Sequence, residues 1–213
     1  MAKHSIRFRC EQCGKYHNAD IYDGVDVSKE PQFRAKVMDA SIFDFVCPDC
    51  GTVNGILYPF LYHDPTRRFM VQLVDHTVKE DPFTELFNTD DETDQAIKGV
   101  VEDMKQRYYL RTVTTPNELM EKIAVFEAGL DDRVLELIKQ GILAADASGT
   151  ILQLYFAPTD SGPVFLAEEA DGFHRSFRLD QTVYDSMQES LVFDPSETRI
   201  DAAWAVRYLK SSD

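Results

Sequence analysis

Two short stretches decide the fold, Cys10-Glu11-Gln12-Cys13-Gly14 and Cys47-Pro48-Asp49-Cys50-Gly51, and they are one turn written twice. Two residues between cysteines let both sulfurs of a turn point at a single ion. The glycine after each pair lets the backbone tighten until its N–H groups approach the thiolates. Thirty-three residues separate the pairs, more than the fifteen to twenty or so of ordinary ribbon spacing. Cys10, Cys13, Cys47 and Cys50 are therefore the expected ligands of one tetrahedral S4 site. Soft thiolates in that geometry select Zn2+, with iron or a redox dithiol as the alternatives. A filled sphere leaves no position for a substrate, so the expected Zn2+ is structural. Four thiolates outweigh the charge of the ion, and Arg9, Lys15 and backbone donors are expected to complete its surroundings.

Working outward, residues 5–9 alternate polar and apolar and read as a strand entering the first pair; residues 15–27 supply more extended structure. Ser28 and Pro31 open a short helix carrying Phe33, Val37 and Met38 at helical spacing. Residues 42–46 and 52–58 read as strands on either side of the second pair, and residues 69–74 as another strand. Residues 75–94 form the best loop. Ala96, Ile97, Val100, Val101 and Met104 then mark a helix face, and residues 108–113 return to strand.

Thr115-Pro116-Asn117-Glu118 is a capping-box start with proline at the first helical position. The helix it opens carries Leu119, Ile123 and Phe126 and stops at Gly129. A second helix starts at Asp131 or Asp132 and runs through Val134, Leu135 and Ile138 to Gly141, so the pair is an antiparallel hairpin. Residues 150–157 and 163–168 are strands around the turn Thr159-Asp160-Ser161-Gly162, and residues 173–179 are a third. Two more helices start at Asp180 and at Asp201. The expected fold class is α+β: a zinc-ribbon-like, β-rich N-terminal module with a helical insert over residues 1–113, then an acidic α+β domain over residues 114–213, built from a helical hairpin, a three-stranded meander and C-terminal helices.

The 213 residues carry 22 basic and 37 acidic side chains, a formal charge of −15, which argues against neutralising phosphates or docking on an anionic membrane. Residues 114–213 hold 8 basic and 18 acidic groups. That acidity serves solubility, or a basic partner protein. There is no apolar leader at the start and no run of the roughly 18 apolar residues that a membrane span needs, so a cytoplasmic protein is expected. A reducing compartment in turn favours metal over disulfides.

Residues 5–113 resemble the CpXC domain family of bacteria and archaea, named for two Cys-Pro-x-Cys motifs separated by a long insert. The resemblance is carried by Cys10-x-x-Cys13-Gly14, Val27-Ser28-Lys29-Glu30-Pro31-Gln32-Phe33, Cys47-Pro48-Asp49-Cys50-Gly51 and Pro59-Phe60-Leu61-Tyr62-His63-Asp64. The first motif departs from the family name, having Glu11 where proline would stand; that position donates no metal bond. The segments around Glu118 and Gly129 also resemble the region C-terminal to the domain in longer members. The resemblance implies a zinc-knuckle module and brings no activity with it.

Weaker candidates have plainer readings beside them. His17 lies four residues after Cys13, but four thiolates already satisfy zinc, so a structural or surface role is expected. His63 beside Asp64 is in principle a base with an orienting group, against a turn that Asp64 stabilises before Pro65. Asp90, Asp91, Glu92 and Asp94 lack EF-hand spacing and read, like Asp131 and Asp132, as carboxylates at a helix start. Trp204 and Tyr208 read as packing. No G-x-S-x-G, P-loop, H-E-x-x-H or G-x-G-x-x-G occurs. A non-enzymatic cytosolic zinc protein that presents surfaces to another protein is expected. The alternatives are an enzyme with a pocket at the domain junction and nucleic-acid binding through Arg7, Arg9, Lys15 and Lys29.

Overall fold

The alternating N-terminal run forms β1 (Lys3–Arg9), which pairs antiparallel with β2 (Tyr16–Tyr22), so the first cysteine pair is the turn of a hairpin. The second pair sits likewise between β4 (Asp44–Val46) and β5 (Val53–Gly55). Between the hairpins lie β3 (Gly24–Asp26), α1 (Gln32–Met38) and a 3-10 turn over Ser41–Phe43. The strand expected over residues 42–46 is thus half 3-10 turn. Ala40 adopts a left-handed conformation (φ 60°) and its carbonyl accepts the Phe43 N–H, which turns the chain before the strand can start.

β3 leaves its hairpin and pairs parallel with β6 (Phe60–Asp64), which pairs antiparallel with β7 (Phe69–Leu73); β7 in turn pairs parallel with β8 (Tyr109–Val113). Gly24 is required here, because a Cβ would stand 2.4 Å from the Leu61 carbonyl oxygen. One face of the sheet buries Phe60, Tyr62, Phe69, Val71 and Leu73 completely. On the other, Met70 and Phe83 form a cluster with Leu61, Val101, Met104, Tyr108 and Leu110. Phe83 comes from α2 (Pro82–Leu86), inside the expected loop, and Val101 and Met104 from α3 (Gln95–Arg107). Ile97 and Val100, expected on the same apolar face, are exposed.

The computed structural model describes residues 3–86 and 95–211. The chain divides into two compact units, Met1–Pro116 and Asn117–Asp213. The acidic run Asp90, Asp91, Glu92 and Asp94 lies outside the described residues. No helix among them is long and apolar enough to cross a membrane.

The second unit is mixed α and β as well. α4 (Pro116–Glu127) ends in a Schellman motif: Gly129, at φ 71°, donates to the Phe126 carbonyl and Leu130 to that of Val125. α5 (Asp132–Ala145) starts at Asp131, whose carboxylate accepts the Arg133 N–H. Gly141 does not end α5, which continues to a cap at Asp146. β9 (Gln153–Ala157), β10 (Val164–Glu169) and β11 (Gly172–Arg178) form an antiparallel meander. α6 (Gln181–Ser190) starts at Asp180, which accepts the N–H groups of Thr182 and Val183, and α7 (Ala202–Ser211) starts after Asp201, which accepts the Trp204 N–H. Trp204 is buried with Leu137, Ile200 and Ala205, and Tyr208 packs on that cluster.

α4 and α5 also bury five charged side chains. Lys122 Nζ lies 2.9 Å from Asp132 and 3.3 Å from Glu136; Lys139 Nζ lies 2.5 Å from Glu121 and 2.9 Å from Glu136. The Phe156 N–H donates to Glu121 as well. Asp132 lies in the first turn of α5 as expected, but its carboxylate is only 1 % exposed and also serves as the partner of a buried lysine.

Candidate metal centre

Each cysteine turn is built by the same two hydrogen bonds. The Cys10 N–H donates to the Lys15 carbonyl and the Gly14 N–H to that of Cys10; the Cys47 N–H donates to Thr52 and the Gly51 N–H to Cys47, all at 2.9 Å. Gly14 (φ 71°) and Gly51 (φ 74°) occupy the left-handed region that closes such a turn and favours glycine.

The two turns face each other. Cys10 Sγ lies 3.7 Å from Cys50 Sγ, and Cys13 Sγ lies 3.7 Å from Cys47 Sγ. All four sulfurs fall within 4.8 Å of one another. Zn–S bonds of about 2.3 Å in a tetrahedron set sulfur–sulfur edges of roughly 3.8 Å, so the spacing fits one tetrahedral ion. Cys10 and Cys47 are buried, Cys13 is half-buried and Cys50 is exposed.

Their acidities diverge, as expected of like groups crowded together. The Cys13 backbone N–H above all draws Cys10 down to about 6. Against the pull of the Lys15 N–H, burial and the three neighbouring thiols push Cys13 up to about 11. Cys50 is lowered by the hydroxyl and the backbone of Thr52. Four thiolates at this spacing repel one another, and a cation at their centre removes that penalty.

Backbone donors surround the sulfurs as expected, and Lys15 feels the charge of Cys13 and Cys47, while His17 is an addition. Arg9 donates from Nε to the Gly14 carbonyl, stiffening the first turn, and Lys15 pairs with Asp49 at 2.8 Å. The His17 side chain brings a nitrogen to within hydrogen-bonding reach of one sulfur. Its Nε2 lies 3.3 Å from Cys47 Sγ and 3.2 Å from Asp49 Oδ2. On β2 His17 pairs with Phe8, and its ring is held near those of Phe8 and Phe45 at 6.0 and 6.3 Å. Asn54, unread in the sequence, ties the two turns together: its Oδ1 accepts the Glu11 N–H while its Nδ2 donates to the Thr52 carbonyl. The alternation of β2 is the one local clue to His17, and it reveals nothing about which hairpin lies opposite.

The other candidates do not converge. Asp64 is buried and accepts from the Thr66 and Arg67 backbones and the Arg67 side chain, the turn role expected of it, although the residues before it are strand. His63 is its neighbour along β6 and so points to the opposite face. Its ring lies beside Tyr108, its Nε2 has no hydrogen-bond partner among the described residues, and burial lowers its pKa. Of the basic residues suggested for nucleic acid, Arg7 lies over the Tyr16 ring at 4.6 Å and Lys29 pairs with Asp26.

The family model described as CpXC protein matches residues 8–139. The chain belongs to the CpXC family. The match takes in both cysteine turns, the four-stranded sheet, α4 and the first part of α5, and so extends further than the resemblance read over residues 5–113. Within this CpXC chain, Glu11 in place of a proline leaves a backbone N–H that Asn54 accepts, a bond proline could not make. No curated protein and no solved structure matches the chain.

Proposed function

We propose that the chain is a non-enzymatic, cytosolic zinc protein in which Cys10, Cys13, Cys47 and Cys50 hold one structural Zn2+. The ion joins two hairpins as a zinc ribbon does, within a domain of residues 1–113, while the acidic domain of residues 114–213 presents its charge to a basic protein partner. The spacing of the four sulfurs carries the reading, since it matches a closed tetrahedron. When bound, the ion supplies cross-linking rather than reactivity, because four sulfur ligands leave it no open position. The side chains do the rest: Gly14 and Gly51 close the turns, and His17 and Thr52 stand beside the Cys47 and Cys50 sulfurs. A cytosolic site keeps these thiols reduced.

Elemental analysis of reduced, full-length protein tests the reading. One zinc per chain is expected, falling well below one in Cys47→Ser. A metal-free wild type, iron in place of zinc, or full occupancy in Cys47→Ser overturns it. Association with a basic partner that weakens as salt rises supports the second half; salt-independent association counts against it.

A further inference from the structure

The four sulfurs are not equivalent, and the difference marks a site of chemical modification. Cys47 is buried and has the His17 Nε2 at 3.3 Å, with Asp49 on the same nitrogen. With a carboxylate oxygen and a sulfur both beside it, that nitrogen is placed to carry a proton, and a hydrogen bond from it withdraws electron density from the sulfur. Cys50 is exposed, and its side-chain neighbour is the Thr52 hydroxyl at 3.4 Å. Cys10, buried, lies 3.7 Å from Cys50. The exposed residue Cys50 thus has a second sulfur 3.7 Å from its own, while Cys47, in the same turn, is buried.

We propose that Cys50 is the residue at which hydroperoxides open the metal centre, with Cys10 as the resolving thiolate and His17 as a positioning residue that keeps Cys47 from reacting. The proposal rests on the zinc reading above. The Cys50 thiolate attacks one oxygen of hydrogen peroxide; an S–O bond forms, the O–O bond breaks, and hydroxide leaves into solvent. The Cys10 thiolate then attacks the Cys50 sulfur of this sulfenic acid. An S–S bond forms, the S–O bond breaks, and a second hydroxide departs. The two sulfurs have lost two electrons and the peroxide has gained them. Cys10 and Cys50 then no longer donate to the ion, and two of its four ligands are gone. The resulting disulfide joins the two turns across the cluster rather than the cysteines of one Cys-x-x-Cys pair.

The test uses zinc-loaded, full-length protein treated with hydrogen peroxide below stoichiometry. Zinc release is followed with a colorimetric chelator, and disulfides are located by mass spectrometry of peptides. The expected first product is Cys10–Cys50, appearing in step with released zinc. In His17→Phe, which keeps a ring between Phe8 and Phe45, oxidation of Cys47 should rise about tenfold, the scale of one lost hydrogen bond to a charged acceptor. His17→Gln, which retains an N–H, should fall between the two. A first product of Cys13–Cys47, Cys10–Cys13 or Cys47–Cys50, or unchanged Cys47 oxidation in a zinc-loaded His17→Phe, overturns the proposal and leaves the zinc reading intact. A wild type that holds no zinc overturns both.

Discussion

The cysteine hairpins and the α4–α5 pair stand at opposite ends of what a short segment can use to hold its shape. Beside the metal centre little is buried: Val46 and Val53 pair across β4 and β5, yet are 61 % and 56 % exposed. Three-residue strands of this kind have little core to rest on beyond the contact of Phe45 with Phe8, and an ion held by the four sulfurs would stand in for one. In the α4–α5 hairpin even the charges are inside, with Lys122, Glu121, Asp132, Glu136 and Lys139 all buried beside Leu119, Ile123 and Leu135. On the zinc reading the first region depends on an ion it must acquire; the second carries three carboxylates and two ammonium groups that must all find one another. Both arrangements are brittle, but different insults break them.

The largest effect should come from removing the ion. Chelation under reducing conditions withdraws on the order of 10 kcal/mol from a site of this kind. Hydrogen exchange should then speed up in β1, β2, β4 and β5, while α4 and α5 keep their protection. Equal loss in both would erase the contrast. Next is Lys139→Met, which leaves Glu121 and Glu136 without their shared cation and should cost about 3–5 kcal/mol in denaturant unfolding. Adding Glu121→Leu to it should restore part of that loss. If the double variant is as unstable as the two single effects combined, the charges do not act as a group. Asp180→Ala, which removes the carboxylate accepting two N–H groups at the start of α6, should cost about 1 kcal/mol and leave zinc content untouched.

The smallest effect is set by pH. Hydrogen bonds from the Ser148 hydroxyl and from Arg175 hold Asp146 down to about 2. A carboxylate whose folded pKa lies below its unfolded value adds stability above the unfolded value, near 3.9. That contribution should be lost as pH falls from about 4 to about 2. In Asp146→Asn the melting temperature should vary less over that interval, and an unchanged slope would assign the acid sensitivity elsewhere.

The sequence is most readable where a local rule acts alone. The paired Cys-x-x-Cys-Gly turns, the entry to α4 at Pro116, its exit at Gly129 and the caps Asp131, Asp180 and Asp201 are each dictated by a few adjacent residues. Partner-dependent features are not readable this way. β6 is five residues long, contains His63 and Asp64 and lies between prolines, so local chemistry favours a turn; it is a strand because β3 and β7 flank it. Gly141 looks like a helix stop, but the backbone there takes no left-handed exit and the helix absorbs it at a cost of about 1 kcal/mol. Glu121, Lys122, Asp132, Glu136 and Lys139 have the spacing of a solvated face and are buried by the packing of two helices. His17 stands at the cluster because the pairing of β1 with β2 and the approach of β4 bring it there; the first follows from the nearby cysteine turn, while the second is not written near residue 17.

Gly24 has a topological consequence. Once the turns share an ion, the thirty-three residues between Cys13 and Cys47 become a closed ring, and β3, seated against Leu61 by that glycine, lies inside it. A ring of this size restricts the unfolded chain by about 4 kcal/mol in the loop-closure treatment of cross-links. The parallel edge of the four-stranded sheet is thereby tethered to the sulfur cage through the chain itself, so loosening the cage slackens an edge strand that touches none of the sulfurs.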